Sequence, residues 1–199
     1  MTRAIAFGLL VCGAAFAQGK PAAAPAKAEA KAEPAKPMEP PKPSEEITNE
    51  LKFWQGKWTC NGKMMASPMG PEHAVMTTLD FKPALGGYWL QMNFEEKKTK
   101  ENPMTMTGMM MAGWDPVKKV MGRMDYMSGG AWVMFTSKGW EGDKEVWSGD
   151  GQMMGKMMKM QHTLTKKGDN EVMMTMESAG PDGKMMPMFE DDCKKGGKK

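Results

Sequence analysis

A chain of 199 residues, 41% of them apolar and 26% charged, has the size and balance of one globular domain with extensions. A formal net charge of +3 excludes the strongly basic surface that marks nucleic-acid-binding domains, so no nucleic-acid partner is expected. Twenty-seven methionines stand against two isoleucines, so thioethers must fill much of the space that branched aliphatics usually fill.

The first residues, "MTRAIAFGLLVCGAAFAQ", place Arg3 before an apolar run from Ala4 to Phe16, with small Ala15 and Ala17 ahead of Gln18. This is the pattern of a secretory signal cleaved after residue 17, so the domain is expected to be exported, periplasmic or secreted. Cys12, in "LLVC", is an alternative lipid-attachment site, although Leu10 and Val11 are bulkier than a lipoprotein box tolerates. Cleavage leaves two cysteines, Cys60 and Cys193, which an oxidising compartment favours as a disulfide. No later run is apolar enough and long enough to cross a bilayer as a helix.

Residues 18–43 alternate Lys and Glu among Ala and Pro, with almost nothing to bury. A disordered, proline-stiffened spacer is expected there. Order should begin at Ser44, which can cap a short helix whose Ile47, Leu51 and Trp54 share a face; Glu45 and Glu46 sit at its positive end and Gly56 ends it. The domain is expected to run over residues 44–193, with a basic tail at 194–199.

Beyond Gly56 the period changes. Runs rich in Met, Val, Thr and aromatics alternate with Gly, Pro, Asn and Asp clusters, which predicts strands at 57–65, 73–82, 88–97, 104–113, 118–127, 131–138, 144–150, 156–166, 171–178 and 184–191. About ten antiparallel strands without crossover helices predict an all-β, up-and-down, closed barrel.

Several landmarks carry a resemblance. Gly56, Lys57 and Trp58 are similar to the lipocalin Gly-x-Trp entrance, in which the tryptophan plugs the closed end. "LGGYWL" (Leu85 to Leu90), "GWDP" (Gly113 to Pro116) and "DGK" (Asp182 to Lys184) resemble the spaced motifs of the bacterial domain-of-unknown-function family 1579, over roughly residues 48 to 192. That resemblance implies a lipocalin-like barrel, often exported, and carries over no catalytic residue.

Methionine doublets such as Met64–Met65, Met157–Met158 and Met173–Met174, and the triplet from Met109 to Met111, must send sulfur to both faces of the sheet, because successive strand residues alternate. Outward methionines then offer an oxidisable surface or an adaptable contact face. On the last hairpin Met158, Met160 and His162 share a face with Leu164, and Val172 shares one with Met174 and Met176. Matching Leu164 with Val172 sets His162 opposite Met174 and Met160 opposite Met176. These five Met and His residues form a candidate Cu(I) set, since soft thioethers beside an imidazole select that ion; plain core packing is the simpler reading. His162 is also the position at which haem would be held. His73 and His162 are too few for a zinc site of ordinary spacing.

Trp58, Trp89, Trp114 and Trp132 are the candidate ligand-binding residues, expected to line an apolar pocket in the barrel, while Trp140 and Trp147 recur on neighbouring strands. Glu190, Asp191, Asp192, Asp125 and Asp150 read as solvated surface acids. The function expected is an exported binding protein for a small apolar ligand, with no catalytic residue and no required cofactor. Soft-metal binding, an oxidant sink and a protein-interaction module are the alternatives; the oligomeric state is open.

Overall fold

The computed structural model describes residues 41–67, 70–180 and 182–196. The expected signal peptide, Cys12, most of the Ala/Pro/Lys/Glu segment and the end of the basic tail lie outside the described residues. Helix α1 (Glu45–Trp54) is followed by strands β1 (Gly56–Met64), β2 (His73–Ala84), β3 (Trp89–Glu96), β4 (Thr107–Asp115) and β5 (Val120–Met127). Then come β6 (Trp132–Glu141), β7 (Lys144–Met153), β8 (Lys156–Gly168), β9 (Glu171–Ala179) and β10 (Met185–Lys195). Each strand pairs antiparallel with its sequence neighbours, and β1 pairs with β10, so the sheet closes on itself. Closure leaves no edge strand open for pairing with another chain. Among the described residues no helix is long and apolar enough to cross a membrane.

Helix α1 starts where Ser44 accepts from the Ile47 backbone N–H at 3.5 Å and ends against the barrel's closed end. There the indole of Trp58 donates to the Trp54 carbonyl at 2.7 Å, satisfying an acceptor that the end of a helix leaves without a partner. Trp54 stacks on Phe81, and Phe53 meets Trp58 and Trp140. Trp58 is thus the plug that the Gly-x-Trp resemblance implied. Gly56, at φ +119°, makes the turn from helix to strand that a side chain would strain.

Cys60 and Cys193 are paired in the β1–β10 register, form a disulfide and are both buried. The bond joins the first strand to the last across 133 positions, which in the chain-entropy picture stabilises the fold by about 4 to 5 kcal/mol.

Period-two alternation sets the two faces of the wall. Met110, Met121, Met160, Met174 and Met176 are buried inside, whereas Met109, Met134 and Met157 are exposed outside, so the doublets do divide between the faces.

Two boundaries differ from expectation for reasons that side chains supply. Strand β4 begins at Thr107 rather than 104, because the Glu96 carboxylate accepts from the Met106 N–H at 2.9 Å and from the Asn102 amide at 3.2 Å, folding residues 97–106 into a loop. Strand β10 runs through Lys194 and Lys195, the first two residues of the expected tail. Lys194 pairs with Glu171 at 2.9 Å, and Lys195 donates to the Phe53 carbonyl at 2.7 Å.

The β8–β9 register is shifted by two: His162 faces Met176, Leu164 faces Met174, and Lys166 rather than Leu164 faces Val172. A shift of two keeps every side chain on its face, so apolar matching cannot tell the registers apart. What extends the hairpin is Lys166, whose ammonium lies 3.8 Å from the Trp140 ring centroid and 4.5 Å from that of Phe53.

Candidate binding site in the barrel interior

Inward positions of the strands enclose a cavity of about 160 Å³ that runs from the Trp54 end toward the open mouth. Its wall is mainly apolar, with Leu79, Phe81, Leu90, Met92, Met110, Ala112, Met121, Trp147, Leu164, Met174 and Met176. Met64, Met106, Met127 and Phe189 line it nearer the mouth. A cavity of roughly this size binds a benzene-sized molecule when apolar, and it is below the roughly 300 Å³ at which pockets for larger ligands begin.

A polar cluster interrupts this wall. Arg123 on β5 is buried, donates from Nη2 to Asp125 Oδ2 at 2.9 Å, and has its Nη1 3.1 Å from His162 Nδ1 on β8. Its guanidinium also lies over the Phe135 ring at 4.4 Å and the Trp147 ring at 5.0 Å. Guanidinium has only donors, so Nδ1 of His162 is the acceptor and the neutral ring carries its proton on Nε2. Burial, and then the Arg123 charge, hold the His162 pKa well below its ordinary value, which keeps the ring neutral. Burial pushes Asp125 up while Arg123 pulls it back.

Among the described residues, five that line this space carry a buried polar atom with no hydrogen-bond partner: Arg123 Nε, Asp125 Oδ1, Trp147 Nε1, His162 Nε2 and Asp191 Oδ1. Buried polar groups are rarely left so, and each one unsatisfied costs about 1 to 3 kcal/mol. Asp191 is raised to about 6 by burial, then by Glu96 and Asp192. Asp191 rests against Gly62, where a Cβ would lie 2.1 Å from its Oδ1, so only glycine leaves room for the carboxyl.

At the closed end a second pair of acids is buried. Glu50 of α1 accepts from the Trp54 indole at 2.9 Å, and burial followed by the neighbouring Glu145 raises it to about 8. Burial raises Glu145 as well; Ser137 and Trp147 stand near enough to oppose that, though neither completes a hydrogen bond to its carboxylate.

The four tryptophans named as ligand-binding do not line the cavity. Trp58 is buried in the plug below it. Trp114 is half-buried and packs on the core. Trp89 and Trp132 lie on the outer wall, because the inward positions of their strands are Leu90 and Val133; Trp89 lies over Gly113, where a Cβ would come within 2.7 Å of its ring. The tryptophans that reach the cavity are Trp54 and Trp147. Of the metal set, His162, Met174 and Met176 line it, Met160 is buried in the wall outside it, and Met158 is half-buried.

The donor chemistry of that set does not fit a metal or haem. A ligating imidazole usually donates its second N–H to an acceptor, whereas here the second nitrogen faces an arginine donor, so ligation through Nε2 would require an imidazolate. Among the described residues no group of three His, Cys, Asp or Glu converges on one point.

Asp125 and Asp191, expected at the surface, are inside. Arg123 is the residue of this candidate site that sequence reading missed. Its signal was the alternation of Met121, Arg123, Asp125 and Met127, a charged pair spaced by two on an apolar face.

A family model described as "Protein of unknown function (DUF1579)" matches residues 42–195. No curated protein matches the chain by sequence. The crystal structure of Rv2717c from M. tuberculosis is similar in fold, with a TM-score of 0.58 at 9% identity over 78% of this chain and all of that one. Two further barrels align with TM-scores too low to carry an argument. They are a de novo designed fluorescence-activating β-barrel (0.40, 12% identity, 73% of this chain and 96% of that one) and the S-type phycobiliprotein lyase CPES from Guillardia theta (0.43, 8% identity, 77% and 94%).

Proposed function

We propose that this chain, which belongs to the DUF1579 family and so inherits no assigned activity, is a binding protein that takes a small, largely apolar molecule into the barrel interior. The observation that carries this reading is the cavity of about 160 Å³, walled by methionine and leucine and reaching the Arg123–His162–Asp125 cluster. Methionine suits such a wall, because an unbranched side chain can repack around an occupant at low cost. The Cys60–Cys193 disulfide fits an oxidising compartment, which together with the N-terminal signal pattern supports an exported protein.

Xenon, which enters apolar protein cavities, tests the reading. A crystal pressurised with the gas should show it between Met110, Met121, Met174 and Met176. An interior that takes up no xenon contradicts the proposal.

The outer wall favours a second reading, that of a contact module. Met111, Met124 and Met134 are directly paired across β4, β5 and β6, and Met109, Tyr126 and Trp132 form the next row. Apolar side chains aligned across three strands and facing outward suit an adaptable interface. A chain that sediments as a monomer at all concentrations and retains no partner on purification would count against it.

A further inference from the structure

We infer that the interior selects a neutral molecule of single-ring size whose polar end both accepts and donates a hydrogen bond, and that it rejects carboxylates of the same size. This rests on the binding role proposed above and names the ligand class for that site. Three observations on the wall carry it.

The size comes from the cavity, at about 160 Å³. The donor comes from His162: Arg123 occupies Nδ1 at 3.1 Å, so Nε2 carries the hydrogen, and that buried nitrogen has no acceptor. The acceptor comes from Asp125, whose Oδ2 is taken by Arg123 at 2.9 Å while its buried Oδ1 is free. A hydroxyl or a primary amide placed beside the Arg123 cluster would satisfy both atoms together.

Charge argues against an anion. Arg123, the one basic residue among the described residues that line the cavity, is already paired with Asp125 and packed over Phe135 and Trp147. The remaining ionisable groups on the wall nearer the mouth are the carboxyls of Glu96 and Asp191, which repel a second carboxylate. A carboxylate entering this space would lose its water and gain only the Nε–H of a guanidinium whose charge Asp125 already balances.

Two ligand pairs, titrated into the unaltered protein with ¹³C-labelled methionine methyls as reporters, test the inference. Phenol and toluene have nearly the same shape, and an interior without hydrogen-bonding groups prefers toluene, because the hydroxyl gives up water for nothing. We expect phenol to bind at least as tightly as toluene, and benzamide to bind about tenfold or more tightly than benzoate at neutral pH. Toluene binding more tightly than phenol, or benzoate matching benzamide, overturns the head-group assignment and leaves the cavity reading standing. No saturable shift with any of the four overturns both.

Discussion

Arg123 donates to His162 across 3.1 Å of the barrel interior, joining β5 to β8 through a hydrogen bond that no sheet ladder supplies. The same guanidinium holds Asp125 at 2.9 Å, so one side chain organises the polar part of an otherwise methionine-rich wall.

Removing that arginine leaves a buried carboxyl without its partner. Arg123→Met should therefore destabilise the barrel by about 3 to 5 kcal/mol, and adding Asp125→Leu to it should recover much of the loss, because apolar pairs of similar volume substitute well for buried ion pairs. Urea unfolding of the two variants measures both. A single variant as stable as the parent contradicts the ion pair's place in the core.

The bond also fixes what His162 can ligate. With its proton on Nε2 and an arginine at Nδ1, the ring is a poor ligand despite Met176 directly across the strand and Met174 next to it. Titration with Cu(I) against a chelator should show no site tighter than that of an unrelated barrel. A tight equimolar site lost on His162→Phe would reverse this conclusion.

Stability should depend on pH through the buried acids. Glu50 is raised from 4.5 to about 8 and Asp191 from 3.8 to about 6, so the fold binds these protons more tightly than the unfolded chain does. Their contribution is complete below the ordinary carboxyl range and is lost as pH rises, through about 6 for Asp191 and about 8 for Glu50. Glu50→Gln, which keeps an oxygen for the Trp54 indole, should leave stability near pH 4 unchanged and raise the melting temperature above pH 8 by about 4 °C or more. Equal melting temperatures for parent and variant at high pH would show that Glu50 is not held protonated.

Much of this fold was legible in the residues. Alternation over Met160, His162 and Leu164, and over Val172, Met174 and Met176, correctly put those side chains on one face, because a strand's side-chain period is two whatever its partner. The hairpin register was not legible, since a slip of two residues preserves that face and the deciding contact is Lys166 with Trp140 and Phe53, which are distant in sequence. Cavity-lining tryptophans were misassigned for a related reason. Trp89 and Trp132 have the composition of pocket residues, yet each follows the phase of its own strand, with Leu90 and Val133 inward. Asp125 and Asp191 read as surface acids because carboxyls usually are. Only the inward phase of β5 and β10, and the presence of Arg123, mark them as interior.

The claim on which the account rests is that the barrel contains a space a small molecule can occupy. The direct measurement is a toluene titration followed through the ¹³C methyl resonances of the 27 methionines. Saturable shifts confined to the inward set, led by Met110, Met121, Met174 and Met176, with exposed Met109, Met134 and Met157 unmoved, are the predicted result. Shifts that follow solvent exposure, or no saturation at all, would contradict it.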